Sequence, residues 1–201
     1  MIKKVKTVLI IAVLCLTLMA GCSSKAKILD GKYICVDYMS ELYKGHEIYY
    51  YIFSKDKTYT TNNPGEDYDG VPFPDYGTYS IEDDELTLFA GDDPEEPEIT
   101  YTMGYIYKNM ICSKWDGELP LELQEKKIFL NLSNILFIEI NFTEEGYYEH
   151  TVTGENGEIF ETTTGTYEVN KNKVECKNEE GLITTFYDTD DGVYGVDYIK
   201  E

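Results

Sequence analysis

Apolar and polar residues alternate with a period of two along most of the chain. That spacing sends one face of a strand into a core and the other into water. Residues 33–38 (Tyr-Ile-Cys-Val-Asp-Tyr) read as a strand, and so do residues 48–53. Ser54-Lys55-Asp56-Lys57 then turns the chain into Thr58-Tyr59-Thr60-Thr61, which predicts a hairpin. Residues 76–81, 86–90, 99–103 and 105–115 continue the series, separated by clusters of Gly, Asp, Asn and Pro. No long stretch carries the 3.6-residue period of an amphipathic helix. Residues 39–46 and 118–127 are each predicted to hold at most a short helix.

The pattern occurs twice. Tyr49, Tyr51 and Phe53 match Ile138, Ile140 and Phe142, and the same offset takes Asp56 to Glu145 and Tyr59 to Tyr148. One residue is then lost, and Gly77-Thr78-Tyr79 meets Gly165-Thr166-Tyr167. Ile81, Leu86 and Leu88 follow onto Val169, Val174 and Cys176. Ordered agreement across two gaps points to duplication. The Phe is expected to anchor a strand's inward face. The Gly marks a bend or a close backbone approach, and Tyr79 and Ile81 share one face. On the other face of the first copy, Ile48, Tyr50 and Ile52 stand where the second has Phe137, Glu139 and Asn141. The first strand is thus apolar on both sides, as a buried central strand or a partner surface would be.

The order Phe-x-x-acid-x-x-Tyr, Gly-Thr-Tyr-x-aliphatic, turn, Leu-x-Leu resembles the lipocalin-like domains of bacterial lipoproteins. The first copy has Asp56-Lys57 and the second Glu145-Gly146 where an Asp-Gly turn is usual in that pattern. The resemblance implies an all-β fold of two tandem antiparallel β-meander modules, small barrels or half-barrels, over 31–116 and 128–201 with a linker at 117–127. One larger barrel built from both repeats is the alternative. No catalytic residues come with the resemblance.

The N-terminus gives an address. Lys3, Lys4 and Lys6 precede an apolar run over residues 7–19, followed by Ala20, Gly21 and Cys22. The charged, apolar, small order is that of an export signal, and the run is short for a membrane span. Leu18-Met19-Ala20-Gly21-Cys22 resembles the cleavage motif of bacterial lipoproteins, with the Leu one place early. The resemblance implies a signal peptide over 1–21, diacylglyceryl on the Cys22 sulfur, a tether over 22–30 and an extracytoplasmic body held on the cell membrane. Two acyl chains suffice for stable anchoring.

Charge narrows the partners. The chain carries 38 acidic residues against 17 Lys and no Arg, for a net charge of -21. Removal of residues 1–21 takes away three Lys and no acid, so the mature chain would stand at -24. Such a surface argues against nucleic-acid phosphates and keeps the body off anionic headgroups. The absence of Arg suggests a low-GC, Gram-positive bacterium.

Chemistry is sparse. The two His, His46 and His150, lie in no recognised metal-ligand spacing, and the repeat places Thr61 opposite His150. We expect no metal and no cofactor. Cys35, Cys112 and Cys176 remain after the signal, an odd number, and read as small buried hydrophobes. Asp188-Thr189-Asp190-Asp191-Gly192 resembles part of a calcium loop, with its Gly one place early and no Glu at position twelve. Residues 62–75 form a long loop stiffened by three Pro and carrying Tyr68 and Phe73, a form that suits partner contact. The candidate ligand contacts are therefore Tyr49, Tyr51 and Tyr79 on the strands, with Tyr68 and Phe73 on the loop. The expected function is non-catalytic binding of a small ligand or an envelope protein. A hydrolase using acidic residues on a carbohydrate or cell-wall substrate is the alternative.

Overall fold

The computed structural model describes residues 27–36, 47–66, 69–123, 125–132 and 134–201. The proposed lipidation site Cys22, Tyr68, His46 and the possible helix at 39–46 lie outside them. The regular elements among the described residues are all strands: β1 (Gly31–Cys35), β2 (Tyr50–Phe53), β3 (Thr58–Thr61), β4 (Tyr76–Glu82), β5 (Glu85–Ala90), β6 (Ile99–Tyr107), β7 (Met110–Gly117), β8 (Lys126–Leu132), β9 (Leu136–Phe142), β10 (Tyr147–Gly154), β11 (Ile159–Asn170), β12 (Lys173–Asn178), β13 (Ile183–Thr189) and β14 (Gly192–Lys200). Each pairs antiparallel with its neighbours in sequence, and β1 pairs with β14, so the sheet closes on itself. The all-β, barrel-like class expected from the alternation is the class observed.

The ring is not a regular barrel, because β7 and β14 also pair with each other across its middle. Each of these strands changes its second neighbour halfway along. In β7, residues 110–112 pair with β6 and residues 116–117 with β8. In β14, residues 192–195 pair with β13 and residues 198–200 with β1. Two closed circuits result: β1 to β7 with the end of β14, and β8 to β14 with the end of β7. The predicted units over 31–116 and 128–201 thus exchange strands along a shared ribbon.

One face of that ribbon supplies both interiors. Ile111 belongs to the core of the first circuit, while Trp115 and Val193 belong to that of the second. The opposite face buries Met110, Cys112, Tyr194 and Val196 under Tyr105, Tyr107 and Tyr187.

The two copies of the motif take the same geometry. Phe53 meets Tyr79 edge-on at 5.2 Å, and Phe142 meets Tyr167 edge-on at 5.1 Å. The Tyr79 hydroxyl reaches the Ser54 carbonyl, and the Tyr167 hydroxyl donates to the matching Thr143 carbonyl. The Tyr79 and Tyr167 amides donate to Lys57 and Gly146, again at matched positions. The glycine earns its place in both copies. A Cβ on Gly77 would lie 2.1 Å from the Phe89 carbonyl oxygen, and one on Gly165 would lie 2.2 Å from that of Lys177.

Three expectations change. Residues 105–115 are not one strand: β6 runs through Gly104 to Tyr107, and Lys108 at φ 56° turns the chain into β7. The described residues of 118–127 are not helical. The Glu118 amide continues the ladder to the Lys127 carbonyl, and Leu119 is buried against the second core. Pro120 disfavours the helical region for Leu119. Ile48 and Ile52 are neither buried centrally nor covered by the other circuit, being 42% and 40% exposed.

Substituting Gly165→Ala is expected to destabilise the fold by about 1–3 kcal/mol, because the new methyl overlaps backbone on β12. Lys57 and Gly146 occupy matched turn positions at φ 68° and 87°. Lys57→Gly should therefore stabilise by about 0.5–1 kcal/mol, since it relieves a left-handed conformation. Urea midpoints for both variants check this; a Gly165→Ala protein as stable as the parent would contradict the packing argument.

Candidate functional site

The two interiors differ. In the first circuit, Tyr33, Tyr51, Phe53, Tyr59 and Tyr79 are all 5% exposed or less. Their rings touch in series, with Phe53 at the centre: Tyr33 lies at 5.5 Å, Tyr51 at 5.9 Å and Tyr59 at 6.2 Å. Tyr51 and Tyr101 join hydroxyls across this interior at 3.1 Å. Burial raises the pKa of both, and that of Tyr59 to about 12.

The second circuit encloses a cavity of about 300 Å³. Its deep end is made by Trp115 of β7, Tyr148 of β10, Cys176 of β12 and Phe186 of β13. Trp115 and Phe186 meet edge-on at 5.2 Å. Ile138 and Ile140 of β9 face Thr163 and Thr184 along the walls. Towards the mouth stand His150, Glu161, Asn178, Leu182 and Asp197. The hairpins at this end carry Leu132, Ile135, Ile159, Phe160 and Ile183, each between 41% and 66% exposed.

Matched positions explain the difference. Tyr51 and Ile140 are equivalent in the repeat. Tyr101 pairs with Leu88, as Thr184 pairs with Cys176, so Tyr101 and Thr184 are equivalent too. Two phenol rings that fill the first interior are thus replaced by the sec-butyl side chain of Ile140 and the hydroxyethyl of Thr184 in the second. The same comparison sets Thr61 against His150. Thr61 is 6% exposed and its hydroxyl donates to the Tyr50 carbonyl. His150 instead lines open space.

The polar groups of the cavity are ordered by neighbours. Thr163 Oγ1 donates to Glu161 at 2.9 Å, and Ser113 Oγ donates to Asp197 at 2.7 Å. Burial lowers the His150 pKa, opposed by the Glu161 charge, so the neutral imidazole is favoured. Burial pushes the Cys176 thiol up to about 12, and Cys112, buried in the ribbon, likewise. Neither is a thiolate nucleophile at neutral pH.

The predicted contacts do not converge. Tyr51 and Tyr79 are built into the first core. The Tyr79 hydroxyl accepts from the Leu29 amide at 2.9 Å and shares its proton between the Leu29 and Ser54 carbonyls, at 2.9 and 3.1 Å. Tyr49 is half-buried, and its carbonyl accepts from the Cys35 amide. Phe73 lies in an open groove with Pro64, Pro72, Pro74 and Tyr76, where it packs on Gly65. The turn after Asp188 is the β13–β14 hairpin, in which Thr189 Oγ1 donates to the Gly192 carbonyl. Sequence reasoning passed over Trp115, Glu161, Thr184 and Asp197, and weighed His150 only as a metal ligand or catalytic base. The signal for His150 and for the Tyr51 to Ile140 exchange lay in the repeat, as departures between its copies.

The imidazole gives a pH test. The unfolded chain protonates His150 more readily than the folded chain does, so stability from the neutral ring is complete above the ordinary value of about 6.5. It is lost as pH falls from there through the lower folded value. The melting temperature of the parent should drop further between about pH 8 and pH 5.5 than that of His150→Gln. Parallel curves would show that burial does not hold the ring neutral. No protein-family model, curated protein or solved structure matches this chain.

Proposed function

We propose that this is a lipid-anchored, extracytoplasmic binding protein of a bacterial envelope, and that the second circuit holds a small, partly apolar ligand without catalysis. The cavity carries the reading. It sits in one copy of a duplicated fold, at the place where the other copy is plugged by Tyr51 and Tyr101. Its volume of about 300 Å³ is at the lower end for small-molecule sites. Its lining also follows the usual scheme of such sites, apolar at depth with a few polar groups at the entrance. The filled circuit then acts as scaffold. The leader, Cys22 and the short tether support the anchored location.

The repeat supplies the test. Ile140→Tyr with Thr184→Tyr gives the second interior the rings of the first. The double variant should keep the fold, by circular dichroism, and lose any ligand that native mass spectrometry finds on the parent purified from its own envelope. A ligand retained by the double variant would place binding elsewhere. Mass spectrometry of the mature N-terminus should find diacylglyceryl on Cys22, and an unmodified thiol there would remove the anchor.

A further inference from the structure

We infer that the bilayer carrying the anchor covers the mouth of the cavity, and that the ligand is an acyl chain of a lipid drawn from that bilayer. This rests on the anchored, ligand-binding reading above and adds the source of the ligand.

The shared ribbon fixes which way each circuit points. In the first circuit, Tyr107 pairs with Met110 across the β6–β7 turn, and the Ile106 amide donates to Asp84 in the β4–β5 turn. Its hairpin turns thus lie at the Met110–Ile199 end of the β7–β14 ladder. The mouth of the second circuit points to the same end. Asp116 of β7 stands opposite Phe129 of β8, and from there β8 runs towards Ile135 as β7 runs back towards Met110. Gly195 of β14 stands opposite Phe186 of β13, and from there β13 runs back to Ile183 as β14 runs on to Ile199.

The tether enters the body at that end as well. Lys27 forms an ion pair with Asp84 in the β4–β5 turn, and the Leu29 amide and carbonyl both bond the Tyr79 hydroxyl. Cys22 precedes Lys27 by five residues, which span at most about 18 Å. The body is longer than that: the 12 residues of β11 alone run about 40 Å. A lipid on Cys22 therefore holds the mouth, rather than the far end, beside the bilayer.

The surface at this end fits a bilayer. Leu132, Ile135, Ile159, Phe160 and Ile183 stand out around the mouth, and Ile28 beside the tether is exposed too. Charge divides along the same axis. The first circuit's turns here mix Lys55, Lys57 and Lys108 with Asp56, Asp83 and Asp84. The far end holds residues 91–98, with five acids and no Lys, and the Glu144-Glu145 turn. Repulsion from anionic headgroups thus acts strongly on the end turned away from them. Glu155, Glu158, Glu179 and Glu180 in the mouth turns leave apolar burial, not charge, as the basis of contact. An acyl chain passing Leu182 meets Ile138, Ile140, Tyr148, Trp115 and Phe186. Through a mouth set on the bilayer it moves from one apolar surrounding to another without crossing water.

Trp115 is the chain's single tryptophan and lies in the cavity wall, so its emission reports an entering chain. The lipidated protein is placed in phosphatidylcholine vesicles whose acyl chains carry bromine, a contact quencher of tryptophan. Trp115 is expected to lose emission relative to unbrominated vesicles, and the filled variant, Ile140→Tyr with Thr184→Tyr, is expected to keep it. Orientation is read at two exposed positions of β11 about 30 Å apart. In a Trp115→Phe background, Phe160→Trp at the mouth should be quenched and Val169→Trp at the far end should not. Circular dichroism checks that each variant is folded.

Equal quenching of the Phe160→Trp and Val169→Trp variants, or none of either, would overturn the facing of the mouth. Quenching of the Phe160→Trp variant with Trp115 unaffected, or with Trp115 quenched equally in the filled variant, would overturn the acyl-chain ligand and leave the mouth on the bilayer. A ligand of another class found on the parent by native mass spectrometry would also overturn the acyl chain, while upholding the binding reading. No ligand there and no quenching of Trp115 would overturn that reading itself.

Discussion

The β7–β14 ladder is the contact on which the rest of the structure depends. Without it the fourteen strands would enclose one wide ring whose inward side chains face empty space. With it, the sheet is pinched into two circuits small enough for side chains to fill. The ladder runs from Val193 opposite Trp115 to Ile199 opposite Met110, with a register shift between Val196 and Tyr198. Its two strands exchange outer neighbours halfway, so Ile111 serves one core and Trp115 the other from the same β-strand. Neither circuit can close from its own half of the chain, because the first needs residues 198–200 and the second needs residues 116–117. The two circuits therefore depend on each other despite the repeated motif.

Within that frame, duplication separates scaffold from site. The Phe, Gly and Tyr of each copy make the same ring contact, the same close backbone approach and the same hydroxyl-to-carbonyl bond. These are the terms each circuit needs in order to close. The positions beyond them, towards the open end, are free to differ. There the first copy keeps Tyr51, Tyr101 and Thr61, joined by hydrogen bonds, and the second keeps Ile140, Thr184 and His150. The resulting difference in filled volume is local, so the barrel frame tolerates it.

Much of the strand series was legible, because alternation reports directly which residues face inward. The repeat was legible as well, since the Phe, Gly and Tyr positions are tied to geometry rather than to surface chemistry. The turn at Lys108 was not, because Tyr107-Lys108-Asn109-Met110 contains neither Gly nor Pro and a lysine takes the left-handed conformation. The candidate ligand contacts were chosen for their aromatic rings. Rings at strand spacing serve a core as readily as a pocket, and Tyr51 and Tyr79 proved to be core.

The amino-acid sequence by itself determined the all-β class, the repeated Phe, Gly and Tyr motif and the acidic charge, because each is written in residue type and spacing. Only the tertiary structure decided where the sheet pinches and which interior stays open. Strand edges pair through backbone groups that are the same at every residue, so no side-chain pattern announced that β14 would join β7. Cavity volume is the sum of side chains from strands far apart in sequence, and Tyr51 reveals its role only when Tyr101 is seen to meet it.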